Sequence, residues 1–127
     1  MKKIILLVVM MSICLMGCIE KQQEAETLCL TWYNRGLSNM DGPESDFKNA
    51  IKANSKFAPP YYWLASFYCR AKREEESIEY FEKYLQVVDK NDPQEKDRIE
   101  MAGYFIEEMR SGNMDYDSIT NKAMSKE

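Results

Sequence analysis

Histidine is missing from the 127 residues. With it go the side chain best suited to acid–base work near neutral pH and the commonest transition-metal ligand. The four cysteines, Cys14, Cys18, Cys29 and Cys69, form no C-x2-C pair, so no zinc framework is visible. Glycines are few and scattered. Gly36, Gly42, Gly103 and Gly112 stand alone and build no phosphate-cradling loop. No catalytic triad is legible either. There is no basic run, and 17 Lys and Arg face 21 Asp and Glu for a net charge of −4, a poor balance for binding nucleic acid. These absences argue against an enzyme and imply no cofactor, no metal and no nucleic-acid partner.

One long apolar run is present, at the N-terminus. Lys2 and Lys3 precede Ile4–Met16, 13 residues. That is short for a bilayer span of about 20 and suits the h-region of a signal peptide. Leu15-Met16-Gly17-Cys18 follows. It resembles the bacterial lipobox, in which a Leu, a small residue and a Cys direct diacylglyceryl attachment to the thiol and cleavage before it. Met16 is bulkier than the residue usual at that position. The resemblance implies a signal peptide over 1–17 and a lipidated Cys18 as the first mature residue. It also implies a place in the cell envelope, on the outer face of the inner membrane or on the outer membrane. Ile19 rather than Asp after the Cys would permit export to an outer membrane, by the same resemblance. The alternative is an uncleaved anchor helix. Residues 18–24 are polar, lack a core pattern and read as a lipidated Cys with a tether. Without Lys2 and Lys3 the balance is 15 basic against 21 acidic residues, net −6.

The remaining 25–127 reads as all-α. The stretch Phe57–Asp89 holds two helical patterns divided by a charged turn. Tyr61, Leu64, Ala65 and Tyr68 share one face, and Ile78, Phe81, Leu85 and Val88 share another. The spacing Tyr61-x2-Leu64-Ala65-x2-Tyr68, then Ser77-x3-Phe81, resembles the tetratricopeptide repeat, W-x2-L-G-x2-Y…A-x3-F…P. Asp89 stands where the closing Pro is expected. The expected hairpin crosses at the small Ala65 and Ser77, with Leu64, Tyr68 and Phe81 packed around them. One hairpin cannot bury both faces alone, so neighbours of the same kind are required.

A fainter copy lies 34 residues earlier. Phe47 falls on Phe81, Ile51 on Leu85, Leu30 on Leu64 and Thr31 on Ala65, with no insertion needed; Asn34, Thr27 and Pro43 break the match. Helices are predicted over about Gln22–Asn39 and from Pro43 to Asn54–Ser55, then again from Pro59-Pro60. Trp32 falls on Ser66 in this register, which leaves it either displayed or in the core. Further on, Asp92-Pro93-Gln94-Glu95 reads as a capping-box-like helix start. Ile99, Ala102, Phe105, Ile106 and Met109 make an apolar stripe closed by Ser111-Gly112-Asn113. A last helix over Asp115–Met124 uses Tyr116, Ile119 and Ala123, and 125–127 should fray. The whole is an antiparallel helix-hairpin α-solenoid of about two to three repeats, preceded by a signal-peptide helix.

Tetratricopeptide arrays bind partners on a concave face made by the first helix of each repeat. Carried onto this chain, that resemblance places Tyr62, Ser66, Cys69 and Arg70 on the binding face, Arg70 as a clamp for a carboxylate or phosphate. Arg73-Glu74-Glu75-Glu76 reads as a solvated turn. The functional expectation is a membrane-anchored adaptor that binds a protein or peptide. One alternative is a self-associating envelope protein, a possible homo-oligomer. Another is a thiol redox protein using Cys29 and Cys69, whose disulfide would require Cα atoms within about 7 Å.

Overall fold

A computed structural model of the chain describes residues 1–39 and 41–125. Among the described residues there are six helices and no strand. They are α1 (Lys2–Ser38), α2 (Glu44–Ala53), α3 (Pro59–Arg70), α4 (Glu74–Val87), α5 (Lys96–Arg110) and α6 (Tyr116–Met124). The class is all-α, as the sequence predicts. The expected fraying at the C-terminus falls on Ser125, a turn after α6, and on 126–127, outside the described residues.

Packing follows chain order: α1 on α2, α2 on α3, α3 on α4, α4 on α5, α5 on α6, with α6 reaching back to α3. The α3–α4 pair meets where the small residues predict. Leu64, Ala65, Tyr68, Ser77 and Phe81 are all buried. The Ser77 hydroxyl donates to the Ala65 carbonyl at 2.9 Å, which satisfies the one polar group placed in that seam. Tyr62 meets Phe81 and Tyr84 edge-on, one turn further along. Contacts that run 65 to 77 and then 62 to 81 and 84 are the order of an antiparallel pair.

The 34-residue recurrence holds for α2 and α4. Pro43 and Ser77, Phe47 and Phe81, and Ala50 and Tyr84 are buried in register. It fails for α1. Leu30 is 47% exposed whereas Leu64 is fully buried. The inward residues of α1 are Cys29, Trp32, Tyr33, Gly36 and Leu37, which match Tyr61, Leu64, Ala65, Tyr68 and Cys69 at a shift of 32. The first hairpin is thus two residues shorter between its helices, and the expectation of no length change is corrected. Trp32 is half-buried beside Arg35. Gly36 has a steric role, because a Cβ there would lie 2.6 Å from the ring of Phe47.

Two more expectations change. The helix expected from about Gln22 runs back through residues 18–24, which are exposed and continuous with α1, because no proline and only helix-tolerant residues occupy Ile19–Glu24. The capping box at Asp92–Glu95 does not form, and α5 begins at Lys96 with no side-chain cap. The Glu95 carboxylate is drawn away by the Tyr84 hydroxyl at 2.7 Å and by Arg98 at 2.7 Å, which fasten the entry of α5 to α4. The far end of α5 closes as expected, with Gly112 at φ +93° and Asn113 N–H donating to Glu108 C=O, a Schellman close that favours glycine.

Candidate functional site

Helix α3 is the centre of the molecule, and its sequence explains why. Pro59–Arg70 carries one charge, Arg70, in 12 residues. A helix apolar all round is buried on more than one side. Leu64 and Tyr68 pack with Phe47 of α2. Tyr62, Ala65 and Cys69 pack into a larger core with Phe81, Phe105, Met109 and Ile119.

That second core corrects the expected binding face. Tyr62 is 8%, Ser66 2% and Cys69 0% exposed, so three of the four residues are not displayed. The chain covers Tyr62 and Cys69 itself. Phe105 of α5 stacks on Phe81 at 5.1 Å, Ile119 of α6 joins the same cluster, and Tyr116 lies under Arg70. Burial pushes the Tyr62 hydroxyl up to about 12. Arg70 alone of the four is exposed.

A groove survives on the neighbouring flank of α3. A cavity of about 260 Å³ opens between the end of α1 at Leu37, the start of α2 at Pro43 and Phe47, and Trp63, Ser66, Phe67, Arg70 and Ala71. It keeps Ser66 and Arg70 from the expected set and omits Tyr62 and Cys69. The residues missed were legible as a second stripe: 63, 66, 67 and 70 follow the i, i+3, i+4, i+7 spacing. Trp63 is fixed by an indole N–H donated to the Tyr33 hydroxyl at 3.1 Å, and the Ser66 hydroxyl bonds back to the Tyr62 carbonyl. A larger hollow is bounded by α1 residues alone, Glu20 to Thr31, and has no opposing wall.

Charges beside the groove are paired. Glu44 accepts from Lys48 at 2.7 Å, from the Tyr68 hydroxyl at 2.9 Å and from Arg73 at 2.9 Å. The Lys48 ammonium first, with the Tyr68 hydroxyl and Arg73 assisting, holds the Glu44 carboxyl down at about 2. The unfolded chain therefore takes up this proton first. The Glu44 contribution is complete above about pH 4.5 and is lost as pH falls toward 2. With its carboxylate 30% exposed, the effect is roughly 1–2 kcal/mol after screening. Glu44→Gln should flatten an acid titration of stability between those limits and leave its shape elsewhere unchanged. Denaturant midpoints taken at half-unit pH steps check this, and an unchanged acid limb would contradict it. Asp46 is buried and pairs with Arg35 at 3.2 Å.

The thiols divide into two classes. Cys14 and Cys18 are exposed, Cys29 and Cys69 are buried, and all four are free. Burial raises the Cys29 and Cys69 thiols above their ordinary value, although Lys72 and Arg70 pull Cys69 the other way. A raised, covered thiol is a poor nucleophile. In the native unprocessed chain, made without lipid attachment or cleavage, iodoacetamide should modify Cys14 and Cys18 at least tenfold faster than Cys29 and Cys69, and all four at similar rates in guanidinium. Rapid native modification of the inner pair, read by peptide mass spectrometry, would revive thiol chemistry.

The N-terminal half of α1 is long and apolar enough to cross a membrane by length and composition, and none of its residues is buried. A signal sequence passes the same test. Cys18 lies on it, exposed. Comparison of the chain with protein-family models, with curated proteins and with solved structures finds no match in any of the three.

Proposed function

We propose that this chain is a bacterial envelope lipoprotein that works as a non-catalytic adaptor, built of tetratricopeptide-like hairpins. Cys18 carries the acyl chains that moor it, each buried CH2 contributing roughly 0.8 kcal/mol, and the helical domain holds a protein or peptide partner. The observation that carries the partner half is the groove along α3, where Trp63, Phe67 and Phe47 form apolar walls with Arg70 at the rim. The close Ala65–Ser77 seam and the recurrence of burial between α2 and α4 support the repeat reading. The run Leu15-Met16-Gly17-Cys18 after an exposed apolar helix supports the anchor.

The test is a photo-crosslinking residue at Phe67, introduced in cells and irradiated on intact membranes. A discrete adduct is expected at that position, weakened by Arg70→Glu and absent from a control label at Glu100, exposed on α5. Adducts of equal yield at both positions would defeat the assignment of the face. A second reading, self-association, draws on Leu28 and Leu30, 51% and 47% exposed on α1. Sedimentation of the full chain in detergent decides it, since a monomer at high concentration removes that reading.

A further inference from the structure

Arg70 indicates what the groove takes. The chain has five arginines. Arg35 pairs with Asp46, Arg73 with Glu44 and Glu76, Arg98 with Glu95, and Arg110 with Glu82. Among the described residues Arg70 makes no ion pair, and its guanidinium rests 4.2 Å over the Tyr116 ring. A guanidinium lying over a ring still offers its N–H edge to an anion. Glu44 and Asp46, on the α2 side of the groove, are already matched by Lys48, Arg73 and Arg35, and Asp115, beside Tyr116, caps α6. Of the residues that line the groove, Arg70 alone carries a charge, and it is positive.

We propose that the groove receives one large apolar side chain of a partner polypeptide, and that Arg70 pairs with the carboxylate of an Asp or Glu one or two residues away from that anchor. This rests on the adaptor reading and specifies its ligand. The size fits: about 260 Å³ lies below the roughly 300–1,000 Å³ that encloses a drug-sized molecule. The charge fits a monoanion, because a single guanidinium fork matches one carboxylate. A phosphate would call on neighbouring cations, yet Arg73 and Lys48 are held by Glu44 and the Lys72 ammonium is held by the Met114 carbonyl. Arg70 bounds the cavity yet is exposed, so the anion it meets stands at the mouth, beside the residue that fills the pocket.

The test uses the full chain, ¹⁵N-labelled and held in lipid nanodiscs, titrated with three probes. These are acetyl-Gly-Phe-Gly-Glu-Gly-amide, the same peptide with Gln for Glu, and a peptide ending in Phe with a free carboxylate. The indole N–H of Trp63 reports the groove, and that of Trp32, outside the cavity wall, serves as reference. The Glu peptide should move Trp63 and leave Trp32 unmoved. The Gln peptide and the chain-end peptide should bind at least about tenfold more weakly, the scale of one charge-assisted pair. Arg70→Gln should erase the difference between Glu and Gln peptides, and Phe67→Ala should weaken all three. Equal binding of Glu and Gln peptides, or tightest binding of the chain-end peptide, overturns the inference. So does a silent Trp63 at millimolar peptide. In each of those cases a Phe67 crosslink on membranes would still leave the adaptor reading standing, whereas loss of that crosslink as well would remove both.

Discussion

Phe81→Ala is expected to bring the domain close to its unfolding threshold. Phe81 is fully buried in α4, stacked on Phe105 of α5 and edge-on to Tyr62 of α3. It is therefore the ring through which the second hairpin holds the third. Truncating a buried Phe costs about 3–5 kcal/mol, transfer and cavity together. A domain of this size has only about 5–15 kcal/mol in all. At about 4–8 °C per kcal/mol, the melting temperature should fall by roughly 15–30 °C, read by near-ultraviolet circular dichroism. Phe81→Leu keeps most of the volume and should lose less than half as much. A loss under about 1 kcal/mol for the Ala variant would mean that α4 and α5 do not share this core.

The second large effect is expected at Gly36. Here helix propensity and packing pull in opposite directions. Ala is favoured over Gly in a helix interior by about 1 kcal/mol. The added Cβ, however, would stand 2.6 Å from a carbon of the Phe47 ring, and that ring is 2% exposed and cannot step aside into solvent. Overpacking a filled site costs typically 1–3 kcal/mol, more for larger groups. Gly36→Ala should therefore destabilise by about 1–2 kcal/mol despite its better propensity, and Gly36→Leu by more than 3 kcal/mol. Gly103 is the control. It is exposed on α5 with no atom within 4 Å of a built Cβ, so Gly103→Ala should stabilise by about 0.5–1 kcal/mol. Denaturant midpoints of the three variants check the signs. If Gly36→Ala stabilises as Gly103→Ala does, α1 and α2 do not meet as described.

Local signals in the sequence carried most of the helix boundaries. Pro59-Pro60 opens α3, the stripe through Ile99 and Met109 defines α5, and Ser111-Gly112-Asn113 closes it. The seam at Ala65 and Ser77 was legible because a tight crossing restricts residue size. The register of α1 was not legible. Its inward side chains, Cys29, Trp32, Tyr33, Gly36 and Leu37, are chemically unlike those of α3, so comparing types at a fixed shift aligned the wrong face. The binding face was misread for a different reason. A repeat pattern describes a helix with open space on one side. Here the space over Tyr62 and Cys69 is filled by α5 and α6, elements far along the chain. The apolar character of α3 all round was the available warning, and the Trp63–Phe67 stripe was the available pointer to the flank that remains open.

The claim on which the account turns is that the chain holds a partner at a membrane through Cys18. Its most direct measurement is where the Phe67 crosslinked adduct sediments when the wild-type chain is compared with one whose residues 1–18 are exchanged for a cleavable export signal without a lipobox. The account expects the adduct in the membrane pellet of the wild type, with palmitate label on the chain. For the variant it expects the label to fall to background and the adduct to leave the pellet while still forming. An adduct that stays with the membrane at full yield in that unlabelled chain would contradict it.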